Sequence, residues 1–210
     1  MLRHPELYSY IVSHDSGFAP NPFYGFCTLA CCKPNIRKTA REGDYVVGLG
    51  PKGSHVVYAM RVTKVMGLND YWERFPVKHA DKKAGGVKAV GDNIYRVKEG
   101  VRVVGDDIYH RDNVDSWSQA KSQHSKKDKR TDIRGRNALI SRDFVYWGGK
   151  GEPLPCNLRG IIGGRGHRSK ANRKFVAPFI KWFEAQEKGR LGEPTTPTAI
   201  GRSCRPRKRC

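Results

Sequence analysis

The sequence predicts an α+β fold that is mainly β, a small mixed barrel with short peripheral helices and one C-terminal helix. Three observations carry that prediction. Short runs rich in β-branched and aromatic residues recur at Leu7–Ser13, Tyr45–Gly48, His55–Val65 and Asn137–Trp147. Clear helical spacing of apolar residues is confined to Phe175, Phe179, Trp182 and Phe183. Strand and helix signals do not alternate regularly, which argues against a doubly wound parallel sheet.

Taken in order, LYSYIVS alternates and reads as a strand. The following DSGFAPNPFYGFC holds Ala19-Pro20 and Asn21-Pro22, and a residue before proline is kept extended. Phe18, Phe23, Tyr24 and Phe26 therefore sit on a stiff loop, the kind of segment that builds pockets. Pro34 can open a short helix, with Ile36 and Ala40 on one face and Gly43 ending it. Tyr45–Gly48 is a strand, Gly50–Gly53 a turn, and His55–Val65 a longer strand covered on both faces. Asn69–Phe75 is a short helix, and residues 78–90, rich in Lys, Ala and Gly, form a mobile loop. GDNIYR at 91–96 is echoed by GDDIYH at 105–110; two hairpin edges explain the echo better than two binding sites. Residues 121–136 read as an exposed basic loop, followed by a strand or a strand pair over 137–147. The C-terminal helix ends near Gly189, Pro178 starts or kinks it, and its aromatic stripe is core. Residues 1–189 form one domain, and 190–210 a basic, disordered tail.

The net charge of +20 is unevenly spread, +4 over residues 1–120 and +16 over 121–210. That asymmetry favours a polyanionic partner, above all nucleic acid. No apolar run approaches the roughly 18 residues that span a bilayer, so no membrane partner is expected, and a cytoplasmic location follows. Cys27, Cys31 and Cys32 with a histidine match no standard zinc spacing, so no metal is expected, and the cysteines read as reduced and mostly buried. No cofactor motif appears; in particular the glycines of GIIGGRGHRS lack the closing GK[ST] of a phosphate loop.

Residues 159–174 hold six basic side chains and no acid, and Arg165, His167 and Arg168 are the expected phosphate contacts. An unstacked base needs aromatic faces and polar groups that read its edge. Phe23, Tyr58, Tyr71 and Trp72 are the candidate rings; Asn21, Asp44, Asp92 and Asn93 are the candidate readers. No standard catalytic motif is present. His124, His167 and Asp44 are the acid–base candidates, and His124 lies near Asp132 in sequence, although a triad assembles only in space.

The run YSYIVSHDSGFAPNPFYGFCTLACCKPNIRKTAREGDYVVGLG, with GDNIY, His124-Ser125, ALISRDFVYWGG and GRGHRS, resembles the nucleotide modification associated domain 2 family. The resemblance spans roughly residues 7–187 and implies a context of phage and bacterial systems that modify DNA bases or respond to modified ones. It carries no catalytic set. The strand and helix layout also looks like PUA-like domains, some of which hold a modified base in a small barrel. The expectation is a nucleic-acid-binding domain that recognises a modified or flipped base in DNA. Phe18, Asn21, Phe23, Lys33, Arg37, Asp44, Tyr58, Tyr71, Trp72 and Asn93 would contact the base, and Arg165, His167 and Arg168 the backbone. Base-modification enzymes are further expected partners. The alternatives are an enzyme that modifies nucleotides or DNA bases, and a nonspecific basic accessory protein.

Overall fold

The computed structural model describes residues 3–101, 105–164 and 166–195, so Arg165 and the tail from residue 196 lie outside the described residues. The fold is α+β. Its strands are β1 (Leu7–Ile11), β2 (Cys27–Leu29), β3 (Tyr45–Leu49), β4 (Val56–Arg61), β5 (Lys64–Gly67), β6 (Tyr95–Val97), β7 (Trp117–Gln119), β8 (Asn137–Ser141), β9 (Asp143–Tyr146), β10 (His167–Arg168) and β11 (Gly189–Arg190). Its helices are α1 (Pro34–Thr39), α2 (Leu68–Arg74), α3 (Lys126–Ile133) and α4 (Val176–Glu184). A six-stranded sheet runs β10-β1-β3-β4-β9-β11, a three-stranded sheet β2-β8-β5, and β6 pairs with β7. The β1–β3 and β9–β11 pairs are parallel and the others antiparallel.

Side chains alternate across the large sheet as the pleat requires. Tyr45, Val47 and Leu49 face a core built with Phe179 and Phe183 of α4, whereas Tyr8, Tyr10, Val46, Tyr58 and Met60 face α1 and the smaller sheet. The aromatic stripe of α4 is core, and Pro178 is its third residue, where a missing N–H costs nothing.

The run His55–Val65 is not one strand. It breaks after β4, and Thr63 N–H donates to Ile140 O, so the chain passes from the large sheet into the small one. A second corner lies between β8 and β9. There the Ser141 hydroxyl donates to Arg61 O and accepts from Asp143 N–H. Polar residues lie at both bends, Thr63-Lys64 in the first run and Ser141-Arg142 in the second, and the second break is the one that a strand pair over 137–147 implies.

Residues 121–136 also differ from expectation. They hold α3, started by a capping box in which Asp128 accepts from both the N–H and the hydroxyl of Ser125. Only Asp132 and Ile133 of this helix are buried, too few to give an apolar period.

The two GD[ND]IY copies separate physically. In the first, Asp92, Asn93, Ile94 and Tyr95 are all buried and lead into β6. The second, Gly105–Tyr109, is a 3-10 turn with Asp107 exposed. A Cβ on Gly91 would lie 2.4 Å from Lys78 O and 2.6 Å from Ala80 N, backbone atoms that cannot yield. Gly91→Ala is expected to cost about 1–3 kcal/mol or more, read as a loss of urea midpoint at unchanged slope.

Residues 190–195 lie against the domain, with Leu191 N–H donating to Tyr146 O. Among the described residues, no helix is long and apolar enough to cross a membrane.

Candidate active site

Cys31-Cys32-Lys33 joins β2 to α1. Cys32 (φ 58°) and Lys33 (φ 40°) both take the left-handed conformation. For non-glycine residues this costs about 1–2 kcal/mol each and persists only where the surroundings enforce it. They do so here. Cys32 N–H donates to Asp132 Oδ1 at 2.7 Å, and Cys32 O accepts from Arg37 Nε at 2.7 Å. Both backbone polar groups of the cysteine are therefore clamped, and its side-chain direction is fixed.

That direction brings the Cys32 Sγ to 3.4 Å from Nε2 of His124. The opposite ring nitrogen, Nδ1, lies 2.6 Å from Asp132 Oδ2 and donates to it. Asp132 is buried and in turn oriented: the Tyr95 hydroxyl donates to Oδ2 at 2.8 Å, and the Arg37 guanidinium stands 3.7 Å from Oδ1. Phe18 packs its ring edge-on to the imidazole, 4.8 Å between centroids. Ser16 Oγ donates to Gln123 at 2.6 Å, tying the aromatic loop to the segment that carries His124. Cys32 and His124 are half-buried, so the pair is shielded yet reachable.

Burial works against a charge on His124, but the hydrogen bond to Asp132, with the Cys32 sulfur behind it, outweighs that penalty and holds the imidazolium up to about 10. The ordinary histidine value is about 6.5. A group raised on folding contributes stability that is complete below the lower value and is lost as pH rises through the upper one. Thermal stability should therefore fall from about pH 7 to 10 in the wild type, and His124→Gln should remove that share of the decline; melting curves across the range check it.

The sulfur of Cys31 and the ligand atoms of His124 and Asp132 lie within 4.8 Å of one another, a spacing that could suit a metal ion. The donors are otherwise engaged. Cys31 Sγ donates to Asp92 O, and the Asp132 oxygens accept from Cys32 N–H, His124 and Tyr95 beside a guanidinium. An ion would have to displace each of these, so the geometry favours proton transfer over coordination.

The remaining sequence-predicted residues are placed as follows. Asp44 is buried and accepts from Arg3, Glu6 N–H and Arg41 N–H. Asn21 donates to Gly17 O and Val90 O while its carbonyls accept from Lys78, whose ammonium burial pushes down to about 8. Asn93 donates to Tyr71 O and Phe75 O at the end of α2. Asp92 accepts from Thr28, Ala30 N–H and the Tyr71 hydroxyl. Tyr58 is buried against Tyr10, with 3.0 Å between their hydroxyls. Trp72 is half-buried and stacked on His79 at 3.8 Å. These side chains hold the scaffold behind the site.

Arg37 is fully buried. Lys33 stands 4.4 Å above the Tyr10 ring, and burial lowers its pKa. His167, in β10, pairs with Tyr10 of β1, and burial, then the Lys33 charge, lowers its pKa. Arg168 donates to Ile162 O. Phe23 is buried behind a separate cleft of about 580 Å³ that also involves Tyr24, Arg142 and Arg190. Of the predicted residues, the structure thus brings Phe18, Lys33, Arg37 and His124 together. Asp132 stands beside His124 as its nearness in sequence suggested, but the pairing of Cys32 with His124 and the support from Tyr95 carry no signal in the sequence, because nothing in CTLACCKP shows a left-handed cysteine.

His124 also lines a cleft of about 560 Å³ with Lys82, Lys98, Lys121, Lys126 and Lys129, against one acid, Asp115. Burial first, then repulsion from Lys98 and Lys126, lowers the Lys129 pKa even though Asp115 opposes it.

Fold and site together define an α+β domain with a cysteine–histidine–aspartate relay beside a lysine-lined cleft. The model of the nucleotide modification associated domain 2 family matches residues 4–200, and the chain belongs to that family. No curated protein and no solved structure shows a significant match to it.

Proposed function

We propose that this protein is a nucleic-acid-binding enzyme of nucleotide modification, with Cys32 as nucleophile and a modified or flipped base in DNA as its target. The observation that carries this reading is the continuous line from Cys32 Sγ through His124 to Asp132, at 3.4 and 2.6 Å. A nucleophile, a base within reach and a third group orienting the base are the recurring signature of covalent catalysis. The lysine cleft supports the nucleic-acid part, because it sets positive charge beside the reactive pair.

In the proposed reaction Cys32 and His124 stand as a thiolate–imidazolium pair, with the imidazolium held by Asp132, and the sulfur bonds to an acyl-type carbon borne by the nucleotide. The leaving amine or alcohol departs with the proton from His124. Water then attacks the thioester, losing a proton to the now neutral His124, and the thiolate–imidazolium pair is restored as the acid product leaves. Asp132 keeps the Nδ1 proton in place and stabilises the imidazolium whenever it is present. Phe18 and the aromatic loop wall the ring on one side.

The test incubates the protein with DNA bearing acylated bases, quenches with acid, and analyses nucleosides and the Cys32 peptide by mass spectrometry. Deacylated nucleoside and an acyl adduct on Cys32 are expected, with turnover abolished in Cys32→Ser and reduced about 10²–10⁴-fold in His124→Ala. Tight DNA binding that Cys32→Ser leaves intact, with unchanged nucleosides, would identify a reader of modified bases instead.

A further inference from the structure

The lysine cleft is not the only strongly basic hollow on α3. A second cleft of about 490 Å³ is lined by Lys38, Asp107, Tyr109, His110, Arg130, Arg134 and Arg136. The two clefts share no lining residue, and α3 contributes to both. We propose that this arginine cleft is a second phosphate-binding site, which holds the nucleic-acid backbone away from the reactive cysteine and extends the footprint along α3.

Three features of the cleft support this. The side chains of Lys38, Arg130 and Arg134 make no hydrogen bond, ion pair or ring contact with any described residue. Elsewhere in the fold, buried cations are engaged: Arg37 binds three carbonyls and Lys78 binds Asn21 and Phe26. Arg130 and Arg134 stand at i and i+4, which puts their side chains on one helix face about 5–6 Å apart at Cβ. Their guanidinium forks match phosphate oxygens in a bidentate way that lysine cannot.

Lys38 approaches from α1, the helix that follows Cys32, so α1 and α3 both contribute to the cleft, together with the 105–110 segment and Arg136. Asp107 is the single carboxylate among the lining residues.

The occupant follows from length. From Lys126 to Arg134 the helix axis advances about 12 Å, at 1.5 Å per residue. One strand of duplex covers that distance in roughly four nucleotides, at 3.4 Å each. A mononucleotide can occupy one cleft; only a chain can occupy both. The site therefore fits a polynucleotide backbone better than a free phosphate.

The experiment measures fluorescence-anisotropy binding of a 20-base-pair DNA duplex across a salt series, with inorganic phosphate and dTMP as competitors. The proteins are wild type, Arg130→Glu/Arg134→Glu, and the control Lys52→Glu/Lys181→Glu, which carries the same charge change at two exposed lysines outside both clefts. Iodoacetamide labelling of Cys32 is followed in each.

The expected result is at least a tenfold loss of duplex affinity in the arginine variant. Its log K against log salt slope should shrink by about 1.8, at 0.9 per lost phosphate contact. The control should change little, and Cys32 labelling should be unchanged in both. Equal losses in the arginine variant and the control would reduce the effect to net charge and overturn the site, as would an unchanged slope. Competition by millimolar phosphate as effective as by duplex would mean a small-anion site and would also overturn it. Should the Glu variant fail to fold, Arg130→Gln/Arg134→Gln is compared with Lys52→Gln/Lys181→Gln, which again carries the same charge change. Cys32 labelling reports on the proposed reaction separately, so either reading can fail without the other.

Discussion

Asp132→Ala is expected to be the most damaging single substitution in the chain, removing Cys32 reactivity and costing about 3–5 kcal/mol of stability. The carboxylate accepts from Cys32 N–H, His124 Nδ1 and the Tyr95 hydroxyl, and its charge faces the buried Arg37. Truncation would strand a cation and three donors in a dry environment, where each loss carries its full desolvation cost. Asp132→Asn separates the two roles. It keeps the volume but removes the charge that holds the imidazolium, so the protein should fold with a lowered melting temperature while Cys32 labelling slows by about 10²-fold or more. Melting curves and labelling rates on the two variants check this; normal labelling in a folded Asp132→Asn protein would remove Asp132 from the mechanism.

The second large effect is expected at Arg37. Its Nε donates to Cys32 O, Nη1 to Asn137 O at 2.9 Å, and Nη2 to Asp132 O. One side chain thus ties the loop before α1, the end of α3 and the start of β8. Gly135 is part of that cradle, since a Cβ there would lie 2.4 Å from the guanidinium carbon. Arg37→Leu leaves three carbonyls and the Asp132 carboxylate without this partner and should cost about 3–5 kcal/mol. Arg37→Lys should recover little, because an ammonium cannot reach three acceptors held in a planar fork. A residue contacting nucleic acid would behave oppositely, with weakened binding and an unchanged melting temperature. The thermal melt therefore separates the expected base-contact role from the buried role the structure gives Arg37.

Much of the fold was legible because its signals are local. The alternation of LYSYIVS, the turn before Tyr45 and the aromatic stripe of α4 each specify an element without reference to distant residues. The helix α3 escaped because its stability comes from Ser125 and Asp128 at its start and from two inward residues, not from an apolar period. The corner near Thr63 escaped because it depends on a hydrogen bond between strands distant in sequence, from Thr63 N–H to Ile140 O.

The site divides in the same way. The aromatic loop was visible from its prolines and rings, and it does reach the site, through Phe18 against His124. Its polar residues were a poorer guide. Asn21, Asp44, Asp92 and Asn93 are buried with backbone partners, a use of Asn and Asp that sequence cannot distinguish from ligand contact. Cys32 and His124 lie 92 residues apart, and only the packing of α3 against α1 brings them together.

The central claim is that Cys32 is an activated nucleophile, and the rival account makes it an ordinary half-buried cysteine. Cys156 is exposed and supplies an internal reference. Accessibility alone would make Cys156 react first, so the most direct measurement is competitive iodoacetamide labelling of the intact protein, with the rate at each cysteine read from its peptide by mass spectrometry. The account predicts that Cys32 labels at least about tenfold faster than Cys156, and that His124→Ala lowers the Cys32 rate below that of Cys156 while leaving Cys156 unchanged. Faster labelling of Cys156 in the wild type, with a Cys32 rate indifferent to His124, would contradict it.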